Sequence, residues 1–130
     1  MSETNGPKWA TMVPLIGGSA FGCEAATRTK PLYNMSYTPF AANESFFYRH
    51  WNEIPVFLID EGNDPKETFP EQLDFVNSVC PCAGLSQLST AKSGSDARAA
   101  QNKWMFESAE YVLGYVKPRV FWGENAPALF

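Results

Sequence analysis

Leu73-Asp74-Phe75-Val76-Asn77-Ser78-Val79 reads as a β-strand, an apolar run of strand length that breaks into Cys80-Pro81-Cys82. Similar runs lie on either side of it. Thr11–Ile16 (TMVPLI) is a strand with Pro14 as a blemish, and it runs into Gly17-Gly18. Ser36–Ala42 is a second, interrupted by Pro39, and Pro55–Ile59 (PVFLI) a third, closed by Asp60-Glu61-Gly62. Beyond the opening stretch, Arg119–Gly123 (RVFWG) is followed by Glu124-Asn125. Helix-like segments separate these runs: Ala20–Thr27, then Glu44–Trp51 with Asn43 as its candidate cap. A third covers Asn102–Val116, where Trp104, Ser108, Tyr111, Val112 and Tyr115 share one stripe and Lys117-Pro118 makes the stop. Strands alternating with helices predict an α/β domain: a mostly parallel, Rossmann-like sheet of about five strands with helices on both faces. Ala83–Gln101, small, polar and glycine-containing, reads as a surface loop.

The bulk numbers bound what such a domain can do. A chain of 130 residues makes one domain, here 11–130 behind an amino-terminal tail over 1–10. A hydrophobic fraction of 45% supports a real core. The net charge of -4, with ten scattered Lys and Arg, is unlike an isolated DNA-binding module, which is normally basic. Three cysteines are an odd number, and Cys80 and Cys82 stand too close around Pro81 to bridge without strain. With Cys23 and His50 they show no zinc-finger spacing, so no metal site is expected. Met1–Lys8 is polar, and no segment approaches the roughly 20 apolar residues of a membrane span. The expectation is a reduced, soluble, cytoplasmic protein that does not engage a membrane.

In open parallel sheets ligands bind beyond the carboxyl ends of the strands, so the strand ends are where chemistry is sought. The first ends in Gly17-Gly18, with Gly22 further on; such glycines let a ligand approach the backbone, although a plain tight turn also explains them. The second is read as ending at Asn43-Glu44, an acid suited to a pair of ribose hydroxyls or simply a solvated helix start. Asp60 ends the third, as an acceptor for an adenine amino group or as part of a turn. The fourth places the Cys82 thiol at a strand-to-loop turn where backbone amides lower thiol pKa values; the competing reading is a small core hydrophobe. At the fifth, a carboxyl partly withdrawn from water at Glu124 would remain protonated and act as an acid.

Together these residues resemble the cytosine-5 DNA methyltransferase family, in the family's order and over nearly the whole chain. Pro81-Cys82-Ala83-Gly84-Leu85-Ser86 looks like its Pro-Cys nucleophile motif, with Ala83 where Gln is usual. Glu124-Asn125 looks like its Glu-Asn motif, with Ala126 where Val is usual. Gly17–Gly22, followed by Glu24 and Ala26, resembles the cofactor loop, while Asn43-Glu44 with Asn52 resembles the ribose motif and Asp60 the adenine contact. Asp96 and Arg98 fall where the family often has Asp-x-Arg. The family's aspartate and Phe-x-Gly entry read here as Thr11, Val13 and Leu15.

The resemblance implies an incomplete class I methyltransferase fold that binds S-adenosylmethionine through Gly17, Gly18, Gly22, Glu44, Asp60 and Pro81. Cys82 and Glu124 are the implied catalytic pair, and Ser86, Arg98 and Asn125 the implied contacts to a cytosine flipped out of DNA. The Cys82 thiolate adds to carbon 6 of the base, Glu124 stabilises charge at ring nitrogen 3, and carbon 5 takes the methyl group before losing its proton and the cysteine. Family members continue with an Arg-bearing motif, a target-recognition domain and a returning carboxy-terminal segment. Their absence leads us to expect a second polypeptide, in the restriction-modification setting of a bacterial or phage-infected cell. Two other readings stand beside it: a non-catalytic remnant acting as a binding module, and an unrelated Rossmann-like nucleotide binder.

Overall fold

The computed structural model describes residues 6–15, 17–41, 44–79 and 104–124. They form a sheet of five parallel strands in the order β3-β2-β1-β4-β5: β1 Trp9–Met12, β2 Asn34–Ser36, β3 Val56–Leu58, β4 Phe75–Ser78 and β5 Val120–Gly123. Helix α1 (Gly18–Thr27) connects β1 to β2; α2 (Thr38–Ala41) and α3 (Ser45–His50) precede β3, and α4 (Pro65–Thr68) precedes β4. Helix α5 (residues 104–111) runs straight into a wider turn at Val112–Val116, closed by Lys117 N donating to Val112 O across five residues at 2.8 Å. The expected α/β class, parallel sheet and helical layers are present. Among the described residues no helix is long and apolar enough to cross a membrane.

Period-two alternation along the strands gives each face of the sheet its own core. Trp9 and Phe75 point one way, stacked at 5.2 Å between ring centroids, and join Ala20 and Cys23 of α1 with Phe47, Trp51 and Ile54. Trp51 meets Trp9 edge-on at 6.4 Å and donates from Nε1 to Glu24 at 2.7 Å, which ties α1 to α3. Ala10, Met12, Met35 and Val76 point the other way, against Val112 and Val116 at the end of α5. Trp9 also anchors the start of its strand, with Nε1 donating to Thr29 Oγ1 at 3.0 Å. Trp9 and Ala10 therefore belong to the sheet and not to a tail.

Two elements differ from the sequence reading. The first strand lies earlier than Thr11–Ile16, because Val13 (φ 51°) and Leu15 (φ 53°) take left-handed backbone that no strand can continue through. The second strand is Asn34–Ser36 instead of Ser36–Ala42. Pro39 falls in the first turn of α2, where an amide hydrogen would have no helical partner anyway. The other strands and helices match to within their ends. Asn43, Asn102 and the loop Ala83–Gln101 lie outside the described residues.

Candidate functional site

The chain winds from β1 outward to β3, then returns to lay β4 against the opposite side of β1. The carboxyl ends of β1 and β4 thus flank the point where the winding reverses, the usual ligand crevice of such sheets. Gly17 stands there at φ 95°, capping α1. Its amide donates to Pro14 O at 2.9 Å and its carbonyl accepts from Phe21 N at 2.8 Å. A Cβ at this position would also come within 3.0 Å of the Phe21 ring, so both angle and space demand glycine. Gly18 is exposed, and a Cβ there would meet nothing within 4 Å, which leaves the backbone open to approach. Gly22 lies a turn inside α1 on its exposed side, away from the bend.

No side chain caps α1, so the first-turn amides of Gly18, Ser19 and Ala20 keep the donor character of a helix amino end. Beneath them lies Asn77 of β4, 1% exposed. Its Nδ2 donates to Ser19 Oγ at 2.9 Å, while Oδ1 is buried without a partner.

Next to Asn77 a buried polar chain runs across the sheet. Thr11 Oγ1 donates to Asn34 Oδ1 at 2.7 Å, and Asn34 Nδ2 donates to the Tyr48 hydroxyl at 3.4 Å. Tyr48 donates on to Glu44 Oε1 at 2.9 Å, an oxygen that Ser36 also reaches at 2.5 Å, and Leu15 N donates to Oε2 at 3.2 Å. Glu44 is completely buried, and burial raises its pKa against the pull of those three hydrogen bonds. The expectation that the second strand ends at Asn43-Glu44 is corrected accordingly: Glu44 follows the strand's last residue, Ser36, by eight positions and faces inward. Tyr37 and Thr38 occupy the strand end instead.

Asp60, at the end of β3, accepts from Thr38 N with both carboxylate oxygens, at 3.0 and 3.2 Å. Beside it an open groove of about 550 Å³ is lined by Tyr37, Ile59, Trp104, Glu107, Glu110 and Tyr111. At the other side of the sheet β4 and β5 are parallel neighbours, Ser78 opposite Gly123, and Glu124 N donates to Ser78 O at 3.1 Å. Glu124 is exposed, in contrast to the partial withdrawal from water expected of it. Pro81, Cys82, Ser86, Arg98 and Asn125 lie outside the described residues.

The described structure therefore brings Gly17, Gly18 and the β4 and β5 ends to one edge of the sheet, and holds Glu44 and Asp60 in internal hydrogen bonds. Sequence reasoning missed Asn77, Ser19 and the Thr11–Asn34–Tyr48 chain. The signal was present: Asn34 with Ser36, and Asn77 after Phe75, are polar residues at period two inside buried strands. No family model and no curated protein matches the chain.

For S-adenosylmethionine the fit divides in two. The uncapped amides and the orphaned Asn77 acceptor suit a group that both accepts and donates, as the amino-acid end of that cofactor does. For a nucleoside end the aromatic groove beside Asp60 offers ring faces, but Glu44, the acid expected to meet the ribose, is not among the residues that line it.

Proposed function

We propose that this chain carries the cofactor-binding and nucleophile half of a DNA cytosine-5 methyltransferase. The observation that carries the reading is the adjacency of β1, β4 and β5, with Gly17 after the first and Glu124 bonded to the last residue of the second. Cys82 follows Ser78 by four positions, so covalent reach alone keeps it within about 14 Å of the strand end. S-adenosylmethionine supplies the methyl group when bound. The Cys82 thiolate adds to carbon 6 of a flipped cytosine and leaves again after carbon 5 has lost its proton. Glu124, exposed in the free chain, hydrogen-bonds ring nitrogen 3 once the flipped base lies against it.

The test is covalent trapping on DNA containing 5-fluorocytosine, with S-adenosylmethionine, using the whole chain alone and with a family recognition half supplied in trans. A denaturation-resistant adduct is expected for the wild type and none for Cys82→Ser. No adduct under either condition, or equal trapping by Cys82→Ser, refutes the assignment.

A second reading, a binding module that does not methylate, is favoured by one set of features. Glu44 is closed into the interior, and Val13 and Leu15 hold left-handed backbone without glycine. In that case the chain binds its partner normally and gives no adduct in any combination.

A further inference from the structure

Three cations scattered in the sequence meet at the amino-terminal edge of the sheet, the end opposite Gly17, Asp60 and Glu124. Lys8 precedes β1, while Arg28 and Lys30 follow α1 on the way to β2. All three are exposed and border a groove of about 540 Å³. Pro7, Pro31, Leu32 and Ile54 supply its apolar lining. The one carboxylate that lines it is Glu53, which holds Lys30 Nζ at 2.7 Å. Asp74 accepts from the Lys8 backbone amide at 2.8 Å without lining the groove. Among the described residues neither the Lys8 ammonium nor the Arg28 guanidinium meets a carboxylate.

The backbone carbonyls at hand already accept other donors. Thr27 Oγ1 donates to Cys23 O and Arg28 N to Glu24 O, both at 2.7 Å, which closes the last turn of α1. Thr29 Oγ1 donates to Pro7 O at 3.2 Å, Trp9 Nε1 to Thr29 O at 3.2 Å, and Leu32 N to Trp9 O at 2.7 Å. The same bonds fix the walls of the groove against each other. The negative end of the α1 dipole favours Arg28 where it stands, but it fades within about a turn. Three cations and one carboxylate leave two positive charges uncompensated, on a chain whose net charge is -4. A carboxylate or a sulfate ester would bring one negative charge, whereas a phosphate monoester brings roughly 1.5 to 2 at neutral pH. Inorganic phosphate would match the charge and leave the apolar lining in water.

We propose that this groove binds a small phosphate monoester with an apolar or ring-shaped body. Its phosphate lies among Lys8, Arg28 and Lys30, and its body covers Pro7, Pro31, Leu32 and Ile54. The groove is at the other end of the strands from Gly17, Asp60 and Glu124, so it stands or falls separately from the methyl-transfer reading.

Titration of the full chain with phenyl phosphate, phenyl sulfate and uridine 5′-monophosphate tests this. Calorimetry gives the affinities, and the indole N–H resonance of Trp9, bonded to Thr29 in the groove wall, reports the place of binding. Phenyl phosphate is expected to bind about tenfold more tightly than phenyl sulfate, which has nearly the same shape and less charge. Arg28→Gly is expected to weaken that binding by about tenfold, and the φ of 58° at this position suits glycine, so the variant keeps its fold. Glu53→Gln removes the competing carboxylate, frees Lys30 and is expected to strengthen binding by about threefold. Opposite signs at Arg28 and Glu53 are what a merely structural role would not give.

Equal affinity for phenyl phosphate and phenyl sulfate, wild-type affinity in Arg28→Gly, binding that leaves the Trp9 resonance unmoved, or no binding of either phosphate overturns the proposal. So does binding of duplex DNA through Lys8 and Arg28 with neither small phosphate bound, which would assign this edge to a phosphodiester backbone. Arg28-dependent preference for uridine monophosphate over phenyl phosphate keeps the proposal and narrows the ligand to nucleotides.

Discussion

Glu44 shows how a single carboxyl can be moved from a ligand's surface into a protein's frame. Ser36, Tyr48 and Leu15 all donate to it, so it joins β2, α3 and the turn after β1. Burial raises its pKa above the ordinary 4.5, which means the folded state holds the proton more tightly than the unfolded chain does. Its stabilising contribution is therefore complete below pH 4.5 and is lost as pH rises through the raised folded value. Glu44→Gln cannot titrate, so the stability of the wild type relative to this variant is expected to fall from pH 4.5 toward neutrality. Urea denaturation at both ends of that range checks it; a gap that stays constant or widens with pH would contradict the assignment. A sequence alone presents Glu44 as an acid near a strand end, and the residue type is right for a ribose. What it does not present is that α2 intervenes and turns the side chain inward. Asn77 was hidden for a related reason: a polar residue in an apolar strand has meaning only once the element lying over it is known.

The helix ends carry a second consequence. Arg28 after α1 and Lys117 after α5 sit at φ 58° and 52°, both exposed, both closing their helices through backbone hydrogen bonds. Left-handed backbone costs a residue with a Cβ about 1–2 kcal/mol, and glycine gives back about 0.5–1 kcal/mol of that in unfolded-chain entropy. Arg28→Gly and Lys117→Gly are each expected to raise stability by about 0.5–1 kcal/mol in chemical denaturation, and a loss at either site would contradict the cap geometry. Strands and helices with clean apolar runs, such as PVFLI and the Trp104–Tyr115 stripe, were readable because one period dominates each. TMVPLI and the run from Ser36 to Ala42 were not, because a proline inside an apolar run leaves two outcomes open. In the first the chain leaves the strand early through left-handed turns; in the second proline opens a helix. Both depend on neighbours far away in sequence, which local pattern cannot express.

At the scale of the whole molecule, the described residues cover the two sides of the sheet unequally at β5. Val120 is 57% and Trp122 51% exposed, above an apolar hollow formed with Phe75, Cys23 and Ala26. Among the described residues β5 pairs only with β4. A free edge carrying large apolar side chains promotes association. Val120→Lys and Trp122→Lys are expected to lower concentration-dependent self-association in sedimentation velocity, while shifting stability by only about 0.5 kcal/mol. Unchanged sedimentation would mean that this edge is not sticky. The central place of β1 has an effect on how the molecule comes into being. Its first residues wait for partners far downstream: Lys8 N bonds to Asp74, 66 positions later, and Trp9 lies beside Phe75. As the chain leaves the ribosome, the earliest strand remains half-paired until β4 emerges, and the outer strand arrives later still. Closing such long loops takes entropy before any ladder forms, so refolding is slow and shortened chains ending before β4 hold no native sheet.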